Sequence, residues 1–228
     1  MRLILLLFPI LFFTFSGHSQ NESLSFSDAI KPHLNKYNLQ SDFEFERGNV
    51  EKGQFLFDSL VKNYLVGSRF NEYALKNVHG GKLKFKKIKK PIFLITYASW
   101  CLLNKGEIAA LNKLSHKYSK QVCFVVLFWD KKENVKKISR RFGSNINVCY
   151  ANEAYKNDAQ IVSTLKHTLG FPTSYLLDTN RRIIDIKRGG VATPKGTPYR
   201  NSYKLNYNLF NERLSGFTTK ALPIAATK

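Results

Sequence analysis

The chain is poor in acid, in cysteine and in long apolar runs, and each shortage removes a class of answer. Only 16 Asp and Glu stand against 36 Lys and Arg, a formal charge of +20 with a pI near 9.9. Such an excess attracts polyanions: nucleic acid, an anionic membrane or envelope surface, or acidic proteins. No nucleic-acid recognition module accompanies the charge, which disfavours the first of these. Three cysteines are an odd number, so at least one thiol stays unpaired within the chain. Histidines His33, His79, His116 and His167 are scattered, with no i, i+4 pair and no cysteine at ligand spacing, so neither a metal site nor a cofactor is expected. Repeats and low-complexity tracts are absent too. What remains is 228 residues with 43% hydrophobic and 14% aromatic side chains, enough apolar surface for one core and too short a chain for a multidomain assembly.

The one long apolar run is Leu3 to Phe15, preceded by Arg2 and followed by the small and polar Ser16, Gly17, His18 and Ser19. It falls short of the roughly 20 residues of a membrane-spanning helix, and no stop-transfer segment follows. Residues 1–19 therefore read as a signal peptide cut near Ser19/Gln20, which places the protein outside the cytoplasm, periplasmic or secreted. No cysteine lies by the cut, which argues against a lipoprotein anchor, and loss of Arg2 lowers the charge by one to +19.

Residues 20–65 read as an N-terminal helical extension, with apolar positions at helical spacing over Phe26 to Tyr37 and Glu51 to Leu65. Residues 66–190 read as the main α/β domain, because short strands alternate there with helical patterns. Pro91 to Ala98 and Val122 to Trp129 are continuous apolar runs, the mark of strands buried on both faces. The first leads through Ser99, Trp100 and Cys101 into a helix from Leu102 to Tyr118. The second leads through Asp130 into a basic helix over about 131–142. Ile146 to Ala151 reads as a strand, and Asp158 to Leu169 as a helix stopped by Gly170. Thr173 to Asp178 and Ile183 to Lys187 read as an antiparallel hairpin. Residues 191–228 carry a last amphipathic helix, Ser202 to Leu214, and a tail.

Two distant motifs now stand in order: Ala98-Ser99-Trp100-Cys101 at a strand-to-helix turn, followed by Glu107, Leu111 and Leu114, and Gly170-Phe171-Pro172-Thr173-Ser174-Tyr175-Leu176-Leu177-Asp178 running into a strand. With Asp130 after the intervening strand, and with the segment from Val66 through Gly80-Gly81-Lys82-Leu83 as an entry hairpin, the chain resembles the thioredoxin superfamily, on its TlpA-like and AhpC/TSA-like (redoxin) branch. The resemblance implies a thioredoxin-like fold, a central mixed sheet flanked by helices, with helical additions at both ends. It further implies a catalytic set of Cys101, Trp100 and Pro172, with Phe171, Thr173 and Asn104 on the substrate side, and a cis peptide bond before Pro172. A plain turn before a strand is the other reading of that proline.

The resemblance also exposes a gap. The family motif is Trp-Cys-x-x-Cys, and here Asn104 stands where the second, resolving cysteine is expected. In a two-cysteine site the second thiolate attacks the mixed disulfide and releases product; asparagine cannot. Two readings stand side by side. In one, Cys101 is a live monothiol, favoured by the helix N-terminus and Lys105, acting on thiols or disulfides of envelope proteins as an oxidoreductase or isomerase. In the other it is a relic thiol on a binding module, or on a basic adaptor of the envelope surface. Against reactivity, Ile95 occupies the place six residues upstream where thioredoxins keep a buried acid. Tyr97 and Leu94 replace the Thr and Pro of the peroxidase branch, so peroxide chemistry is not expected.

Cys123 and Cys149 fall within or beside strands, either as a resolving thiol or disulfide or as small buried residues, the second being favoured. The run Lys82, Lys84, Lys86, Lys87, Lys89, Lys90, interleaved with Leu83, Phe85 and Ile88, reads either as a solvated sheet edge or as a docking patch for anionic lipid or envelope polymer.

Overall fold

A computed structural model describes residues 24–101, 105–189 and 196–220; the expected leader and Asn104 lie outside them. Strand β3 (Ile92–Tyr97) is buried at all six positions. Ile92 and Leu94 enter one apolar cluster while Phe93, Ile95 and Tyr97 enter another, because side chains alternate across a strand and here both faces are covered. Strand β4 (Cys123–Phe128) divides in the same way, with Val125 and Leu127 on one side and Phe124, Val126 and Phe128 on the other. That is why both segments read as unbroken apolar runs.

Seven strands form one mixed sheet in the order β2-β1-β5-β4-β3-β6-β7. The β3, β4 and β5 (Ile146–Tyr150) strands run parallel, while β1 (Ala74–Asn77), β2 (Lys82–Lys84), β6 (Thr173–Leu177) and β7 (Ile183–Arg188) pair antiparallel. The β1–β2 and β6–β7 hairpins fall where the sequence places them. β2 is an edge strand, but the alternating lysine pattern lasts only three residues as strand. A 3-10 turn at Phe85–Lys87 then drops Phe85 into the core and leaves Lys86 and Lys87 in solvent.

One face of the sheet carries α3 (Lys105–Lys117), α4 (Lys132–Ser139) and the C-terminal α7 (Tyr199–Lys220), whose Ile108, Leu111, Val135, Phe210 and Leu214 share a cluster with Phe93 and Phe124. The other face carries α1 (Phe26–Glu46) and α2 (Val50–Leu60), so Phe26, Ile30, Phe57 and Leu60 share a core with Leu94, Val125 and Tyr175. Ser25 caps α1 by accepting from the Asp28 amide at 3.3 Å.

Several elements differ from expectation, among them the helix expected over Glu51 to Leu65, whose last turn, Val61–Leu65, is π-helical, and the basic helix, which ends at Ser139. α1 continues nine residues beyond Tyr37, since the apolar period stops there while helix-tolerant polar residues go on, leaving Leu39 and Phe43 exposed. The helix expected over 158–169 is divided into α5 (Ala159–Ile161), a π-helical turn at Val162–Lys166 and α6 (His167–Leu169). Its hydroxyls draw on main-chain carbonyls: Thr164 donates to Gln160 at 2.8 Å and Thr168 to Thr164 at 2.6 Å, a competition that perturbs regular winding. α7 begins at Tyr199 rather than Ser202, because the Pro198 carbonyl accepts from both Asn201 and Ser202.

Candidate active site

The site grows from the parallel pairing of β3 with β4. Their register sets Tyr97 opposite Phe128, so the residues just beyond each strand end are neighbours. Asp130 exploits this. Its carboxylate accepts from the Ser99 amide at 2.6 Å and from the Ser99 hydroxyl at 2.5 Å, while the Trp129 amide donates to the Tyr97 carbonyl at 2.8 Å. Charge-assisted bonds to a nearly buried carboxylate are strong, and these two clamp a tight turn in which the Cys101 amide donates to the Ala98 carbonyl at 2.9 Å. The turn holds the Cys101 thiol half-buried and unpaired, just before α3, and pushes Trp100 out until it is 73% exposed.

The second loop meets the first through aromatic rings. Trp100 stands edge-on to Phe171 with centroids 5.6 Å apart. The Phe171–Pro172 bond is cis, and the Pro172 carbonyl accepts from the Gly189 amide at 2.7 Å. Among the described residues no main-chain hydrogen bond engages the Phe171 amide or carbonyl. Thr173, expected beside substrate, is placed differently. It is fully buried as the first residue of β6, its hydroxyl donates to the Gly170 carbonyl at 3.0 Å, and its amide and carbonyl bond Thr96. A buried hydroxyl with its partners already supplied holds the loop.

Beneath the turn lies a pair that the sequence reading left without a role. The buried Tyr97 hydroxyl donates to Glu107 Oε1 at 2.5 Å. Glu107 reaches this point from α3 because positions 107, 111 and 114 share one helix face, and Leu111 and Leu114 point the same way into the core. Burial pushes the Glu107 carboxyl up from the ordinary carboxylate range, an effect partly offset by the Tyr97 bond. Tyr97 is pushed well up by burial, then by Glu107 and then by Cys101, which places the phenol within electrostatic reach of the thiol. A buried acid is thus present on the helix, where the strand has Ile95. The signal available was a glutamate on an apolar stripe.

No family model matches the chain. Among curated proteins it is similar to the thioredoxin-like protein YneN of Bacillus subtilis, 25% identical over 124 residues that cover 54% of this chain and 71% of the relative. It is also similar to the thiol-disulfide oxidoreductase ResA of Geobacillus thermodenitrificans, 27% identical over 127 residues covering 54% and 70%. The fold matches the solution structure of a thiol:disulfide interchange protein from a Bacteroides species, with TM-score 0.50 and 17% identity over 71% of this chain and 95% of that one. The fold is thioredoxin-like, and the chain is similar to thioredoxin-like thiol-disulfide proteins.

In this thioredoxin-like fold the other cysteines are remote from Cys101. Cys123 opens β4 opposite Ile92, at the far end of β3 from the turn. At about 3.3 Å per residue this sets it five residues, roughly 16 Å, from the level of Tyr97. Cys149 is buried two strands away, opposite Leu127 and on the sheet face that packs α1 and α2. Cys123 and Cys149 are themselves four residues out of register and both are free. Burial pushes the Cys123 thiol up, partly offset by Lys90, and pushes Cys149 up to about 12. Among the described residues there is no cluster of three His, Cys, Asp or Glu suited to a metal, and no helix long and apolar enough to cross a membrane.

The buried carboxyl has a measurable signature. Because the Glu107 pKa is raised by folding, the folded chain keeps this proton to higher pH than the unfolded chain. The contribution is fully present below the unfolded value and is lost as pH rises through the folded one. Glu107→Gln, which still accepts from Tyr97, is expected to flatten the loss of stability above about pH 4.5, roughly the value of a free glutamate. At pH 8 the variant should be more stable than the parent. Urea midpoints from pH 4 to 8 read this directly, and equal slopes for the two proteins would refute it.

Proposed function

We propose that the protein is an extracytoplasmic thiol-disulfide oxidoreductase or isomerase that acts on envelope proteins through Cys101 alone. The observation that supports it most is the half-exposed Cys101 thiol on a clamped turn, walled by Trp100 against the cis-Pro172 loop. The thioredoxin-like relatives support the redox chemistry in general terms. The leader-like residues 1–19 supply the address.

In the proposed cycle a substrate strand lies along Phe171 and presents a disulfide to Cys101. The thiolate attacks one sulfur, the substrate S–S bond breaks, and the second substrate sulfur leaves as a thiolate. Glu107 and Tyr97, below the turn, hold a proton close to the reacting sulfur, and the exposed groove admits water to carry it. With asparagine at 104, the mixed disulfide is resolved by an outside thiol, which is oxidised as Cys101 is released, or by another thiolate of the substrate, which completes an isomerisation without net oxidation.

The test is the rate of thiol exchange with oxidised glutathione. Folded protein is expected to react through Cys101 at least tenfold faster than the same chain in urea, and Cys101→Ser should abolish the fast phase. A folded thiol no faster than the unfolded one would replace the enzymatic reading with a binding module that uses the groove without exchange.

A further inference from the structure

Helix α4 carries Lys132 and Lys136, and Arg140 is its C-cap, so the three stand at four-residue intervals on one stripe. The stripe faces the β1–β2 turn. Together with Val78, His79, Gly80 and Ser139 the three cations line a cleft of about 360 Å³. No carboxylate lines it. Glu133, the acid on this helix, lies within electrostatic reach of Tyr150 and is absent from the cleft wall. Lys132, Lys136, Arg140 and His79 are all exposed, and none takes part in an ion pair with a described residue.

Helix stability does not account for this arrangement. Cations near a helix C-terminus are favoured by the dipole, which covers Lys136 and Arg140, but Lys132 stands in the first turn, where an acid would be favoured. Like charges four residues apart also repel one another. An anion seated between the helix and the turn would offset both effects. At 1.5 Å rise per residue the three cations extend over about 12 Å, longer than a single phosphate can bridge. Arg140 offers a planar fork suited to phosphate oxygens, and the lysines offer point charges. We propose that this cleft binds clustered phosphate groups.

Two sources share that chemistry, a soluble oligophosphate and the headgroups of an anionic phospholipid surface. The cleft is distinct from the thiol site: none of Ser99, Trp100, Cys101, Phe171 or Pro172 lines it, and β1 is separated from β3 by β5 and β4. The proposal therefore stands or falls independently of the redox function.

The probes are sodium tripolyphosphate, titrated by calorimetry, and vesicles of phosphatidylglycerol in phosphatidylcholine, measured by flotation, each with the mature chain at low and at physiological salt. The cleft pair Lys136→Glu/Arg140→Glu is compared with Lys86→Glu/Lys87→Glu, an equal change of charge among exposed lysines outside the cleft. The cleft pair is expected to weaken binding at least tenfold and the outer pair less than threefold. Lys132→Gln, which removes a charge the helix dipole disfavours, should weaken binding about threefold with the fold intact. Binding of tripolyphosphate alone assigns the soluble source; binding of vesicles, released by tripolyphosphate, assigns the headgroups. Equal losses from the two pairs would reduce the effect to net charge and overturn the proposal, as would binding of neither probe.

Discussion

Incubated under non-reducing conditions with envelope proteins, the parent chain is expected to accumulate covalent adducts that reductant dissolves. Cys101→Ser should abolish them. The reasoning is a matter of reach. An adduct at Cys101 is released only when a second thiolate attacks it, and Cys123, half-buried, and Cys149, buried, are remote along or across the sheet and have raised thiol pKa values. Asn104→Cys introduces the missing nucleophile and should shorten the adduct lifetime at least tenfold. Non-reducing gels after a timed quench read both effects. If Cys123→Ser or Cys149→Ser lengthened the lifetime instead, one of those thiols would be resolving the adduct, and the chain would have to open to let it.

The second large effect is expected at Gly106, in the first turn of the helix that follows Cys101. A Cβ there would lie 2.4 Å from the Tyr203 amide nitrogen and 2.5 Å from the Ser202 hydroxyl, well inside contact distance, and part of that obstacle is main chain. α7 cannot withdraw freely. It is anchored by the buried Phe210 and Leu214 and by Arg213, which donates to Asp185 at 2.7 Å and to Ser174 at 2.7 Å. Gly106→Ala should therefore destabilise by about 3 kcal/mol, the upper part of the usual range for overpacking. Gly216→Ala, in the same α7 with open space around its Cβ position, should stabilise by a few tenths to about 1 kcal/mol through helix propensity. Urea unfolding of both variants separates close approach from propensity; a neutral Gly106→Ala would mean that α7 has room to move.

Much of the architecture could be read in advance where one physical signal dominates. Six consecutive buried positions in β3 leave no alternative to a doubly covered strand, and Asp178 to Arg182 between two apolar runs announce a hairpin. The turn residues Ser99, Trp100 and Cys101 and the cis bond at Pro172 were legible through the resemblance of two motifs and not through periodicity. What stayed hidden depends on neighbours distant in sequence. Nothing local in Glu107 says that Tyr97 waits opposite it, and nothing local in Thr173 says that Gly170 and Thr96 will take its polar atoms. The Gly106 contact is of the same kind: a helical glycine looks like a weak point until α7 is laid across it.

The same crossing sets an order of events. Cys101 leaves the ribosome long before Tyr199, so the first turn of α3 exists for a time without the helix that packs on it. Sheet strands β3 and β4 are close in sequence and can associate early, whereas the α3–α7 contact closes a long loop and is among the costlier to form. The first turn of α3 therefore gains this packing after the sheet has formed. A nascent or truncated chain lacking α7 would keep the Asp130 clamp on the cysteine turn but would carry the helix that follows it without its outer packing.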